Sequence, residues 1–268
     1  MEIKITNLKY KNIFNSLNVE IKESEITSIV GKNGSGKTAL LDLIYGIALE
    51  YDGEITIDSI NVHKKSELKK LRKNMFYMIQ NYSSQLFNIN VLEDIKYSIN
   101  DSLTIVDNNK LCEYLELFDL DTSILNKNYS EISNSELKKI LIIMMIISDK
   151  KIILLDEPTL GLDNKSQITL IKLLKKEKRK GKIIIITSQD SDFLLSVSDK
   201  VLFINNKKII EKNNKYEFFE DKALLDKSNL TIPNTLKFKE IANIKKNKKL
   251  MYRDNLNDLL KDIYRNAS

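Results

Sequence analysis

Apolar residues in this chain come in short, dense runs set between longer polar, lysine-rich stretches. Four runs read as buried strands: the β-branched Ile26–Val30 (ITSIV), and Met75–Gln80 (MFYMIQ), Lys150–Pro158 (KKIILLDEP) and Lys182–Thr187 (KIIIIT), whose apolar residues stand at consecutive positions. That is the pattern of strands buried on both faces. Two earlier strands are expected at Glu2–Asn7 and Ser16–Ile21, with Tyr10 between them. Helical spacing covers Ala39–Leu49, a basic Ser66–Lys73, about Val91–Asn128, Ser133 through Ile147, and the lysine-rich Asn164–Lys180. A turn at Asp52–Gly53 should precede a strand EITI, and the pair VLFIN and KKIIE should end the strand-forming part near Lys212. From about Asn213 only short helical patterns remain. Buried strands alternating with helices predict an α/β fold, a mainly parallel sheet covered on both faces. The expected boundary puts a main domain at 1–212 and a small helical one at 213–268.

Composition narrows the picture. At 268 residues and 42% hydrophobic, the chain can bury a substantial core. The abundance of Asn, Ile and Lys and the lack of Trp read as the bias of an AT-rich genome. One cysteine, Cys112, excludes an internal disulfide and a multi-cysteine zinc site, and agrees with a reducing compartment. No signal segment is read at the N-terminus. The longest apolar run, Ile140–Ile147, falls far short of the roughly 18 residues of a membrane span, so the protein is expected to be soluble or peripheral. Much of the net charge of +6 sits in Lys237–Lys249. Such a run is read first as a solvated helix face, then as a contact for anionic lipid or nucleic acid. Without interleaved aromatic residues no nucleic-acid partner is expected.

The candidate chemistry centres on GKNGSGKT, Gly31–Thr38, which holds three of the seven glycines and fits G-x-x-x-x-G-K-[ST]. A strand precedes it and a helix follows, so backbone N–H groups and the positive end of a helix dipole converge on one spot. An ordinary glycine turn is the alternative, and Lys37 with Thr38 argues against it. Lys37 can reach the β- and γ-phosphates of a nucleotide, and the Thr38 hydroxyl is a suitable Mg²⁺ ligand. Asp156 ends a buried strand, where a second metal-side carboxylate belongs. Glu157 beside it can polarise an attacking water as general base; capping of the next helix is the local alternative for this Asp-Glu-Pro.

Together, the phosphate loop, Gln80 closing a strand, and ILLDEPTLGLD (Ile153–Asp163) resemble the nucleotide-binding subunits of ABC transporters. The resemblance covers about 200 residues in order. It implies the P-loop NTPase fold of ABC ATPase type, with an antiparallel β subdomain and a helical subdomain at about 81–148. It also implies ATP and Mg²⁺ held by Asn33, Gly34, Ser35, Gly36, Lys37, Thr38 and Ala39. Tyr10 would stack on adenine, unless it is simply packing at a strand end. Gln80 would touch the metal or the attacking water, and Asp163 would cross to an opposing subunit. NYSSQLFNINVLEDI (Asn81–Ile95), with its Gln85–Leu86–Phe87 triplet, is similar to energy-coupling-factor transporter ATPases. So is the tail, FFEDKALLDKSNLTIPNTLKFKEIA followed by YRDNLNDLLKDIYR, which looks like that subfamily's small C-terminal dimerisation domain. This subfamily implies a second ATPase, a transmembrane coupling subunit, a substrate-binding membrane subunit and a peripheral place on the cytoplasmic face of the membrane.

The departures are equally informative. The family's Leu-Ser-Gly-Gly-Gln signature, which contacts the other subunit's γ-phosphate through residues such as Ser133 and Ser135, is here Ile132–Glu136 (ISNSE). Side chains replace both glycines, obstructing close backbone approach, and a carboxylate there opposes a triphosphate. Ser133-x-x-Glu136 is also a capping box, a local reading of equal weight. Gln189 stands where the family has a switch histidine; it can donate a hydrogen bond but carries no charge. Ala39 replaces a hydroxyl residue, so one α-phosphate contact is lost. His63 is expected at the surface. Three functions remain: the weaker half of an importer heterodimer, a subunit that binds ATP but scarcely hydrolyses it, and the ATPase of a peptide or drug exporter.

Overall fold

The computed structural model describes residues 1–81, 90–99 and 107–246, together with positions 258, 260 and 261. The Gln85–Leu86–Phe87 triplet and most of Tyr252–Arg265 lie outside the described residues.

Among the described residues there are two sheets. In the smaller, β1 (Glu2–Tyr10), β2 (Phe14–Lys22), β4 (Asp52–Ile57) and β5 (Ile60–Asn61) pair antiparallel in the order β2-β1-β4-β5. In the larger, β3 (Glu25–Val30), β6 (Met75–Met78), β7 (Ile152–Asp156), β8 (Ile183–Thr187), β9 (Lys200–Asn205) and β10 (Lys208–Lys212) follow the order β10-β9-β3-β8-β7-β6. All its pairings are parallel except the β9–β10 edge.

Successive strand residues point to opposite faces, and this divides the core in two. Ile26, Ile153, Leu155, Ile184, Ile186, Val201 and Phe203 pack on one face against the helices. Ile29, Ile152, Leu154, Ile183, Ile185, Leu202 and Ile204 pack on the other, against the small sheet and α1 (Lys37–Tyr45). This double burial is why β7 and β8 read as unbroken apolar runs, while β3 also buries Thr27 and Ser28. The first face is covered by α3 (Val91–Ile99), α4 (Asn108–Leu117), α5 (Asn134–Ile147), α6 (Asn164–Arg179) and α7 (Ser191–Val197), counting α2 as the basic Lys65–Arg72.

Several expected boundaries shift. Helix α1 stops at Tyr45 rather than Leu49, because the Gly46 and Ile47 N–H groups turn back to the carbonyls of Leu43 and Asp42. Asp52–Gly53 is not a turn but the start of β4. The φ of Gly53 is 92°, and the carbonyls of Asn7 and Thr6 lie 2.5 and 2.6 Å from where a Cβ would sit, so the β1 bulge requires glycine opposite it. Among the described residues of Val91–Asn128 the helical pattern resolves into α3, α4 and a 3₁₀ turn at Thr122–Asn126.

Beyond Lys212, α8 (Lys215–Phe219), α9 (Lys222–Ser228) and α10 (Asn234–Lys246) continue the chain. Phe218, Phe219, Leu224, Leu225, Leu230 and Leu236 belong to the same core as Phe203, whose ring centroid is 5.7 Å from that of Phe218. Among the described residues this part therefore docks on the main core instead of building its own.

Candidate functional site

The carboxyl ends of β3, β6, β7 and β8 meet at one edge of the large sheet, the usual place for a ligand in an open α/β fold. A cavity of about 640 Å³ opens there, bringing together Asn33, Gly34, Gly36, Lys37, Thr38, Ala39, Gln80, Asp156, Glu157 and Gln189. Residues more than 150 positions apart in sequence converge because β3 lies beside β8 and β8 beside β7.

The phosphate loop bends around Gly36, whose φ of 104° and whose contacts leave no room for a side chain: a Cβ would come within 2.5 Å of Ile13 and 2.9 Å of Phe14. Gly36 is the N-cap of α1, and no side chain caps that helix. Its first-turn N–H groups therefore remain for a ligand. The Lys37 ammonium folds over the loop to the carbonyls of Gly31 (2.8 Å) and Lys32 (3.2 Å). Burial pushes this amine below the usual lysine range, opposed by Glu157 and Asp156.

Asp156 ends β7 and is buried. One carboxylate oxygen accepts from the Thr38 hydroxyl at 2.6 Å and the other from the Thr187 hydroxyl at the end of β8. Hydroxyl and carboxylate oxygens side by side are hard donors of the kind that suit magnesium.

Glu157 is held on several sides. Its backbone is left-handed, with a φ of 49°. Its N–H reaches the Thr187 carbonyl (3.1 Å) and hydroxyl (3.2 Å), its carboxylate accepts from the Gln189 N–H at 3.2 Å, and its carbonyl accepts from Lys138 at 2.9 Å. Burial pushes the Glu157 carboxyl above the ordinary range, the direction expected of a base poised to take a proton. The Gln189 side chain donates to Asn33, linking β8 to the phosphate loop.

Other expected residues lie elsewhere. Tyr10 is a correction: its ring is only 8% exposed and belongs to the core of the small sheet beside Phe14, while Ile13 lines the cavity. The Ser35 hydroxyl is shielded from solvent without a hydrogen-bond partner and does not line the cavity. Ser133 and Ser135 also stand apart from the cavity. Ser133 caps α5, accepting from the Glu136 N–H at 3.2 Å while Glu136 accepts from the Ser133 N–H at 2.9 Å, so the local capping box forms. Asp163 caps α6 through Ser166 and pairs with Lys139 at 2.9 Å; the Ser166 N–H first, and Lys139 after it, hold its carboxyl well below the ordinary range. His63 is half-buried, stacked on Tyr51 at 3.9 Å and hydrogen-bonded to the Leu49 carbonyl, so it is neither a free surface residue nor part of the site.

Four participants escaped the sequence reading: Ile13, Leu160, Thr187 and Lys138. Thr187 could have been found as a hydroxyl ending an apolar strand. Lys138 shares the spacing of Leu141, Ile142 and Met145 on the buried face of α5, so it marks a cation inside a core.

A phosphate loop before an uncapped helix, an acid pair at the end of the strand two places away and a largely parallel sheet beneath them define a P-loop NTPase. Residues 14–160, more than half of the chain, match the family described as ABC transporter, and the chain belongs to that family, whose members are ATP-hydrolysing transport enzymes. It is 29% identical over 255 residues to the energy-coupling factor transporter ATP-binding protein EcfA3 of Oenococcus oeni, covering 89% of this chain and 88% of that protein. It is 27% identical over 227 residues to EcfA2 of Streptococcus agalactiae, covering 83% and 81%. Among solved structures, CbiO1 of Clostridium perfringens, part of the ABC transporter complex CbiONQ, aligns with a TM-score of 0.70 at 25% identity, covering 91% of this chain and 98% of that one. No helix among the described residues is long and apolar enough to cross a membrane.

Proposed function

We propose that this chain is an ATPase subunit of an energy-coupling-factor-type importer, peripheral on the cytoplasmic face of a membrane. In this reading it pairs with a second ABC ATPase and works on a transmembrane coupling subunit and a substrate-binding membrane subunit to take up a vitamin or a metal ion. The observation that carries the reading is the 2.6 Å contact between Thr38 and Asp156 at the mouth of the uncapped α1, with Glu157 alongside. The similarity to EcfA3, EcfA2 and CbiO1 supports the importer class.

The amides of Gly34–Ala39 and the Lys37 ammonium bind and orient the triphosphate of ATP. Thr38, Asp156 and Gln80 would hold magnesium, which supplies charge neutralisation to the phosphates when bound. Glu157 accepts the proton of the attacking water, and Gln189 donates a hydrogen bond toward the terminal phosphate. Ser133, Ser135 and Asp163 face the partner ATPase, and the segment after Lys212 helps hold the pair together. Asn134, Ser135 and Glu136 make this chain's own signature a poor γ-phosphate cradle, so it serves as the weaker half of a heterodimer.

A second reading, an ATP-binding subunit that scarcely hydrolyses, is favoured by the Ser133–Glu136 box, in which the signature residues spend their hydrogen bonds on each other. Turnover by the purified chain separates the two. Magnesium-dependent hydrolysis abolished by Glu157→Gln supports the ATPase; saturable ATP binding with no such hydrolysis supports the regulatory subunit. Brisk turnover by the lone chain would remove the need for a better-equipped partner.

A further inference from the structure

Two adjacent lysines of α5 grip both ends of the loop that carries the acid of the site. Lys138, 1% exposed, donates to the Glu157 carbonyl at 2.9 Å. Lys139 pairs with the Asp163 carboxylate at 2.9 Å and donates to the Phe118 carbonyl at 3.2 Å. Between them runs Glu157–Asp163, and the helix that carries both lysines begins at Ser133, inside the signature segment.

A buried ammonium on the apolar face of a helix is costly, and an apolar side chain would fill the same space with less penalty. What the ammonium supplies is a donor for one carbonyl and a positive charge facing Glu157 and Asp156. That carbonyl belongs to a non-glycine residue in left-handed backbone, a conformation that persists only where its surroundings impose it. It is held here by β8, through Thr187, by the Leu160 N–H, which donates to the same carbonyl at 3.3 Å from within the loop, and by α5, through Lys138, the contact that ties it to the signature helix. Without the Lys138 contact the signature helix no longer holds that carbonyl, and the restraint it adds on the backbone that aims the Glu157 carboxylate is lost.

We propose that Lys138 and Lys139 are positioning residues that fasten the Glu157–Asp163 loop to the signature helix, so that the placement of the base in one ATP site follows the position of α5 in the same subunit. The proposal rests on the reading of Glu157 as the base. It gives this chain a reason to keep an orderly α5 even though its signature residues are poor phosphate ligands: the helix works backward, on its own site.

The test uses the full chain with Lys138→Met, Lys138→Arg and Lys139→Met, each followed for MgATP affinity and steady-state hydrolysis. Lys138→Met is expected to lower kcat at least tenfold with KM and ATP affinity within twofold, and Lys138→Arg, which restores a donor and a charge, to recover at least a third of the loss. Lys139→Met is expected to act in the same direction and more weakly. In a Glu157→Gln background Lys138→Met should add nothing, because the group being positioned is gone. A Lys138→Met enzyme with kcat within twofold of the parent overturns the proposal. So does a Lys138→Arg enzyme no better than Lys138→Met, or a loss that multiplies with that of Glu157→Gln. A parent chain that binds MgATP but turns none of it over also overturns it, since there is then no base to place. Failure of the parent to bind any triphosphate overturns the nucleotide-site reading itself and is recognised by that binding result alone.

Discussion

Two helices begin in this protein at positions that a nucleotide could use, and they begin in opposite ways. Helix α1 starts at Gly36 in left-handed backbone with no side-chain cap, leaving its amides to an outside ligand. Helix α5 starts at Ser133 inside a complete capping box, in which Ser133 and Glu136 satisfy each other. The first terminus lacks partners until a polyanion arrives; the second is stable without one. The difference lets one chain carry a well-formed phosphate loop beside an α5 N-terminus that departs from the family pattern, since the cap of α5 is complete within the chain.

The largest effect should come from the α1 side. Glu157→Gln is expected to lower ATP turnover by about 10³-fold, within the range of general-base removal, with binding unchanged in titrations of a fluorescent ATP analogue. Next, Lys37→Ala should weaken analogue binding by about 100-fold, roughly 2.7 kcal/mol. Retention of full affinity would mean that the terminus of α1 is not the binding site, and the contrast between the two helices would lose its meaning.

A pH experiment probes the junction of the two regions. Burial holds the Lys138 ammonium down to about 8 from 10.5, with Glu157 and Asp156 opposing. Because the folded-state value lies below the unfolded one, the penalty is fully present below pH 8 and relieved as pH rises toward 10.5. Stability should therefore rise across that window, by at most about 3 kcal/mol from this residue. Lys37 is shifted the same way by burial and adds to the slope. Lys138→Met should flatten the rise in chemical denaturation at pH 8, 9 and 10; an unchanged slope would contradict a buried, charged Lys138.

The smallest effect should come from the α5 terminus. Ser133→Ala is expected to reduce stability by about 1 kcal/mol, as loss of an N-cap does, and to leave nucleotide binding by the lone chain untouched. A change in the lone chain's ATP affinity would show that α5 takes part in its own binding site, sharpening the comparison in the other direction.

The sequence by itself determined the α/β architecture, because strands buried on both faces are rich in apolar and β-branched residues on both and four such runs stand out between helical patterns. The phosphate loop and the Asp156–Glu157 pair were legible in their motifs, and Gln80 and Gln189 in the resemblance to the family; these positions line one cavity. Tertiary structure alone decided which ring, hydroxyl or cation reached the site. Whether Tyr10 faced a ligand or the core depended on the pairing of β1 with β2 and β4, and it faced the core. Thr187 and Lys138 became neighbours of the acid pair only because β8 lies beside β7 and α5 crosses the loop after it. Local pattern specifies the face on which a residue is buried; which distant partner waits on that face is set by strand order and helix packing, and no window of neighbouring residues contains that information.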